Sequence, residues 1–68
     1  MDEETLNLSV RKFLKKVGIT AQREIETSVR EAIESGRLTG DETLNARVTL
    51  TVDGVDLSHE IDGELALK

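Results

Sequence analysis

Apolar residues recur at helical spacing near the start of the chain. They are Leu6, Val10, Phe13, Leu14 and Val17. Their i, i+4, i+7, i+8, i+11 spacing, at about 100° per residue, puts them on one side of a helix. Gly18 can adopt the left-handed conformation that ends a helix. We therefore predict a first helix over about residues 3–17.

The same spacing resumes after Gly18. The apolar positions are Ile25, Val29, Ala32 and Ile33. Thr20 can cap a helix by accepting a hydrogen bond from a free backbone N–H, and Gly36 can end it. We therefore predict a second helix over about residues 21–35, joined to the first as an αα-corner or a short αα-hairpin.

Apolar and polar residues alternate between Leu44 and Ile61, on both sides of Asp53-Gly54. Asp-Gly is a strong signal for a two-residue type I′ hairpin loop. We therefore predict antiparallel strands over about residues 44–52 and 55–62. The apolar face would pair Val52 with Val55, Leu50 with Leu57, Val48 with His59 and Ala46 with Ile61. The polar face would pair Thr51 with Asp56, Thr49 with Ser58 and Arg47 with Glu60.

The tail over residues 63–68 has two interpretations. If the second strand continues, Leu65 and Leu67 stay on the same face as Ile61, because side chains alternate along a strand. If residues 62–63 form another tight turn, both leucines move to the polar face. Leu65 and Leu67 are odd-numbered like Ile61, and this parity favours continuation of the second strand.

These elements predict an α+β fold of order ααββ over the single domain 1–68. Two N-terminal helices, arranged like a helix-turn-helix or an αα-hairpin, would pack on a C-terminal antiparallel β-hairpin. A chain of 68 residues without cysteine is close to the lower limit for a self-sufficient core. A two-stranded sheet also has two open edges. We therefore expect self-association through a hairpin edge or the C-terminal tail.

Charge and hydropathy limit the partners and the cellular location that the chain can have. The net charge of −5 disfavours nonspecific binding to phosphate backbones. No segment approaches the roughly 20 apolar residues of a membrane span. The acidic start Met1-Asp2-Glu3-Glu4 is unlike the cationic start of a signal peptide. We expect a cytoplasmic protein without a membrane partner.

His59 is the only histidine and the first candidate for chemistry. On a strand it points to the face opposite Asp56, Glu60 and Asp62, so these groups do not converge on a metal or a proton. No serine, cysteine or second histidine is placed to complete a catalytic triad or a metal site. We expect a partly buried structural histidine, no metal, no cofactor and no enzymatic activity.

Four cations and one leucine lie on the first helix away from its apolar side. They are Leu8, Arg11, Lys12, Lys15 and Lys16. One interpretation is a solvated helix face whose cations favour the helix C-terminus. The other is a surface for an acidic partner. We expect a noncatalytic protein-interaction or regulatory module with an unidentified protein partner.

Nucleic-acid binding, through this basic side or through the second helix, is the alternative. Residues 17–20, Val-Gly-Ile-Thr, are similar to the turn of a helix-turn-helix. The recognition helix would then carry two arginines and four glutamates, a net charge of −2. Because phosphates repel carboxylates, DNA binding is disfavoured.

Several stretches resemble a family of short bacterial proteins of unknown function. They are Met1-Asp2-Glu3-Glu4-Thr5-Leu6-Asn7, Arg11-Lys12-Phe13-Leu14-Lys15-Lys16-Val17-Gly18, Gln22-Arg23-Glu24-Ile25-Glu26, and the stretch from Asp53-Gly54 to Gly63. The resemblance covers nearly the whole chain. It implies a bacterial, soluble, stand-alone domain and supplies no activity, cofactor or site residue.

Overall fold

One helix takes the place of the two that the sequence predicts. In the computed structural model, which describes residues 1–68, helix α1 runs without interruption over Glu3–Glu34, 32 residues. The predicted helices over 3–17 and 21–35 are therefore wrong as separate elements, and so is the helix-turn-helix or αα-hairpin arrangement. The α+β class is right. Strands β1 (Thr43–Thr51) and β2 (Ser58–Ala66) follow as a two-stranded antiparallel sheet.

Gly18 lies inside α1 and does not end it. Only Gly36, Gly40 and Gly54 have positive φ, so Gly18 does not adopt the left-handed conformation of a helix stop. A glycine in a helix interior costs about 1 kcal/mol relative to alanine, which the hydrogen bonds of the surrounding turns can offset. The chain has no proline that would force a break. Thr20 is consequently an interior helix residue and not a cap.

Asp2 caps the N-terminus of α1. Its carboxylate accepts hydrogen bonds from the backbone N–H groups of Glu4, at 3.0 Å, and Thr5, at 3.2 Å. The hydrogen bond from the Thr5 backbone is the main reason that the pKa of Asp2 is lowered. These bonds satisfy two of the free N–H groups of the first turn, which explains why the helix begins at Glu3.

Gly36 ends the helix, as the sequence predicts. Its φ is 83°, and its N–H donates to the Ile33 carbonyl at 3.1 Å. The Arg37 N–H donates to the Ala32 carbonyl at 2.9 Å. This pair of bonds is the Schellman motif, which needs a left-handed residue just beyond the helix.

The strands pair two residues away from the predicted register. Val48 lies opposite Ile61, and Leu50 lies opposite His59. The predicted two-residue loop is replaced by a six-residue loop over 52–57. Because the shift is by an even number, every side chain that remains in a strand keeps its predicted face.

The loop conformation explains the shift. A type I′ turn needs positive φ at both central residues. Gly54 has φ 88°, but no residue other than glycine has positive φ, so Asp53 does not meet the requirement. The Val55 N–H instead donates to the Val52 carbonyl at 3.4 Å, with glycine third in the turn as in type II. The Leu57 N–H then donates to the Val55 carbonyl at 3.1 Å, which closes a three-residue turn.

The C-terminal tail continues β2, as parity favours. Leu65 lies opposite Leu44. Beyond the end of the strand, the Leu67 N–H still donates to the Glu42 carbonyl at 3.0 Å. The interpretation in which a second turn at residues 62–63 sends the leucines to the polar face is therefore wrong.

No residue of the chain is buried. Residues 1–37 and 38–68 form two compact units, and both leave large apolar side chains exposed. Phe13 in the first unit is 55% exposed, and Ile61 in the second is 53% exposed. Neither unit therefore has a buried hydrophobic core of its own.

Candidate interaction surfaces

The cations of the N-terminal half of α1 lie on one side of the helix. At about 100° per residue, all five predicted surface residues fall within an arc of about 140°. They are Leu8, Arg11, Lys12, Lys15 and Lys16, and all five are exposed. None of the four cations forms a salt bridge. The structure therefore places the residues that the sequence predicts for a partner-binding surface on one side of α1.

Ile19 belongs to the same surface, although it is not among the residues that the sequence predicts there. It is 53% exposed, and Leu8 is 58% exposed. Leu8, Lys12, Lys15 and Ile19 follow the i, i+4, i+7, i+11 spacing of one helix side. A helix that ends at Gly18 places Ile19 in the turn between helices, whereas the continuous helix places it on this surface. We call the basic face the set Leu8, Arg11, Lys12, Lys15, Lys16 and Ile19.

A continuous apolar stripe runs along α1 beside the basic face. We define it as Leu6, Val10, Phe13, Leu14, Val17, Ala21, Ile25, Val29, Ala32 and Ile33. Of the six members whose position 11 residues further on still lies in α1, four recur, as Leu6 does at Val17 and Val10 at Ala21. An 11-residue repeat, about 3.67 residues per turn, keeps a stripe nearly parallel to the helix axis. The apolar sides of the two predicted helices are thus two halves of one stripe.

Charge changes sign along α1. Residues 3–17 contain four cations and two carboxylates, a net +2, whereas residues 18–34 contain two cations and four carboxylates, a net −2. In the second half, Gln22 donates to Glu26 at 3.1 Å, and Arg30 pairs with Glu26 at 3.6 Å. These contacts are exposed and contribute only a few tenths of a kcal/mol. The N-terminal half of α1 is therefore positively charged and the C-terminal half negatively charged.

The polar face of the hairpin has an ion pair that differs from the predicted one. Arg47 lies opposite Asp62, and its Nε donates to Oδ1 of Asp62 at 2.8 Å. Glu60, the predicted partner, lies opposite Thr49 and diagonally from Arg47, with 3.4 Å between Nε and Oε2. All three charged side chains are exposed, so they favour the register only weakly.

His59 lies on the apolar face of the hairpin, opposite Leu50 rather than Val48. The expectation of a partly buried histidine is wrong, because the residue is exposed. No three or more histidine, aspartate or glutamate side chains are grouped in a way that could hold a metal ion.

Glu42 orders the loop that precedes β1. Its carboxylate accepts hydrogen bonds from the backbone N–H groups of Thr39, at 2.8 Å, and Gly40, at 2.9 Å. The Thr39 hydroxyl donates to the Asp41 carboxylate. The Thr39 and Gly40 bonds lower the pKa of Glu42 to about 2. The sequence showed only a polar connection here, because a carboxylate binding backwards along the chain has no distinctive spacing.

Glu42 should make hairpin stability depend on pH. Since its pKa falls from 4.5 to about 2 on folding, its contribution is complete above pH 4.5 and is lost as the pH falls towards 2. Glu42→Gln should remove that part of the acid dependence, whereas Glu64→Gln, a matched change on β2, should keep it. An NMR titration of the Thr39 and Gly40 amides measures the effect. A Glu42 midpoint above pH 4 would contradict the hydrogen bonding.

Comparisons with known proteins give a family and no activity. A family model described as "Family of unknown function (DUF6494)" matches residues 1–68. The resemblance to a family of unknown function is thus confirmed. No curated protein and no solved structure matches the chain. None of its helices combines the length and the apolar character that crossing a membrane requires.

Proposed function

The chain belongs to DUF6494, a family of unknown function, and we propose that it is a noncatalytic protein-interaction or regulatory module. The proposal rests on its surfaces, because the family supplies no activity. Its basic face binds an acidic partner protein. The observation that supports this most is the clustering of four cations without salt bridges on one side of a rigid element, next to exposed Leu8 and Ile19.

Leu8 and Ile19 favour a protein over a nucleic acid as the partner. A phosphate backbone is recognised by charge and hydrogen bonding, and it leaves exposed apolar side chains without a complement. An acidic amphipathic segment offers both carboxylates and apolar side chains. Leu8 and Ile19 are about 16 Å apart along α1, about three helical turns. One side of a partner helix could span that distance.

Loss of the helix-turn-helix arrangement weakens the nucleic-acid alternative further. Without a separate recognition helix, DNA contacts would have to come from the basic face alone. The net charge of −2 on residues 18–34, in the same helix, would repel the phosphates next to the basic face. We therefore propose an acidic protein partner and treat nucleic-acid binding as the competing outcome of the test.

We also propose that the protein acts in the cytoplasm. Small secreted domains usually compensate for a small core with disulfides. This chain has no cysteine and buries no residue. A reducing compartment, where a partner supplies the missing contacts, fits these properties.

The test compares binding of two labelled probes by fluorescence anisotropy at low salt. One is an amphipathic helical peptide of glutamate and leucine, and the other is a DNA duplex. We expect the peptide to bind, and Lys12→Glu/Lys15→Glu to weaken it about tenfold or more, since two attractive charges become repulsive. Arg37→Glu/Lys68→Glu makes the same charge change at exposed positions outside α1 and should have a smaller effect.

Two results would overturn the proposal. One is equal peptide affinity for the two double variants. The other is tighter binding of the duplex than of the peptide, lost in Lys12→Glu/Lys15→Glu, which would establish the nucleic-acid alternative. If the peptide binds as expected, capture from the native host with wild type, Leu8→Asp and Lys12→Glu/Lys15→Glu as baits would then identify the partner.

A further inference from the structure

We propose that the apolar stripe of α1 is covered by α1 of a second copy of this chain, packed antiparallel. The stripe borders the basic face along the flank that carries Arg11, and the inference does not rest on the proposed partner binding. None of its ten side chains is buried, and six of them are among the exposed large apolar residues. The six are Leu6, Val10, Phe13, Leu14, Ile25 and Ile33.

The length of the stripe favours a helix as its cover. From Leu6 to Ile33 it extends about 40 Å along the axis, at about 1.5 Å per residue. Strands of nine residues, such as β1 and β2, are only about 30 Å long. No single hairpin of this length can cover the whole stripe. A second copy of α1 has the required length and the same 11-residue repeat.

The stripe supplies about half of the area that each partner of a standard interface contributes. A stripe about 40 Å long and about 10 Å wide, roughly one helix diameter, covers about 400 Å². Soluble monomers rarely expose contiguous apolar patches larger than a few hundred Å². A standard interface takes about 800 Å² from each partner. The stems of long side chains beside the stripe, such as Arg11 and Gln22, would supply much of the difference.

Charge selects the antiparallel orientation. In a parallel pair, the +2 half of one helix would lie beside the +2 half of the other, and the two −2 halves would also meet. In an antiparallel pair each +2 half lies beside a −2 half. At full overlap Arg11 of one copy is level with Glu26 of the other, and both are on the same flank of the stripe. Like charges repel and opposite charges attract across a helix pair, so the antiparallel form is favoured.

The first experiment is sedimentation velocity on the full chain over a range of concentrations. We expect a dimer, with twice the 7.5 kDa mass of the chain, at tens of micromolar. A monomer at several hundred micromolar would overturn the inference.

The second experiment identifies the surface and the orientation. The chain has no cysteine, so Arg11→Cys and Glu26→Cys can be made singly, mixed and joined with a short bis-maleimide. We expect the mixture to give a cross-linked dimer of the two variants, and each variant alone to give little. In the antiparallel pair two copies of position 11 are about 22 Å apart. Lys12→Cys mixed with Glu26→Cys is the control, because Lys12 lies about 100° further around the helix from the stripe than Arg11 does.

Any other outcome of the cross-linking experiment contradicts the inference. Strong cross-linking of Arg11→Cys with itself would contradict the antiparallel pair at full overlap. A dimer without cross-links in the mixture, or with equal cross-linking of the Lys12→Cys control, would show that copies associate elsewhere. The hairpin edges and the C-terminal tail, which the sequence also predicts as sites of self-association, would then be the surfaces to test.

Discussion

Val17→Asp should abolish self-association at micromolar concentration and lower the helix content of the chain. Val17 is half-buried and lies near the middle of the apolar stripe. A carboxylate there would lose water on association without gaining a partner, which costs several kcal/mol. Even about 2.7 kcal/mol weakens a dimer about 100-fold. Helices in proteins owe most of their stability to packing against other elements. Helix content should therefore fall when association is lost.

Thr27→Asp is the matched control for Val17→Asp. Both changes replace a β-branched residue by aspartate and add one negative charge, but Thr27 lies outside the stripe and is exposed. Circular dichroism at 222 nm, followed against concentration for wild type and both variants, measures the difference. Wild type and Thr27→Asp should gain helix content with concentration, because association stabilises the folded form by mass action. Equal behaviour of all three proteins would contradict the role of the stripe.

Gly36→Ala and Gly18→Ala should change the stability of α1 in opposite directions. At Gly36 the φ of 83° is unfavourable for alanine, and we expect a loss of about 1–2 kcal/mol. At Gly18 the backbone is helical, and an added Cβ would meet no atom within 4 Å. Alanine there should gain up to about 1 kcal/mol through its higher helix propensity.

Thermal unfolding followed by circular dichroism, at one fixed protein concentration, distinguishes the two glycines. We expect Gly36→Ala to melt below wild type and Gly18→Ala to melt above it. A fall in melting temperature for Gly18→Ala would indicate that residue 18 needs the conformational freedom of glycine, as a helix stop does. The two variants therefore also test whether α1 is continuous.

The helix shows which parts of the fold the sequence could predict. The apolar spacing placed the stripe residues on one side correctly, and Gly36 was correctly identified as the stop. The error was at Gly18, which has the same identity as Gly36 but not its conformation. A glycine permits a helix to end without requiring it, and the outcome depends on whether the next turns still gain by continuing.

The hairpin shows the same limit in a different form. Alternation of apolar and polar residues gave the two faces, because side-chain direction has a period of two. The register depended on the φ angle of Asp53, which the Asp-Gly dipeptide favours at positive values but does not impose. The type II-like turn at residues 52–55 lengthened the loop and replaced Glu60 by Asp62 opposite Arg47.

The candidate surfaces could be predicted only in part. The four cations and Leu8 were identified from helical spacing, which needs only a local element. Ile19 required a helix that continues past Gly18, although its distance of 11 residues from Leu8 was a usable signal. The Glu42 loop depends on backbone geometry that no residue pattern encodes.

The continuity of α1 is the central claim, because both the apolar stripe and the basic face with Ile19 depend on it. The most direct test is the backbone ¹³C chemical shifts of Gly18, Ile19 and Thr20 in the full chain. The structure predicts helical shifts at all three, continuous with those of Val17 and Ala21. Coil-like or turn-like shifts at Gly18 and Ile19, between two helical stretches, would contradict it.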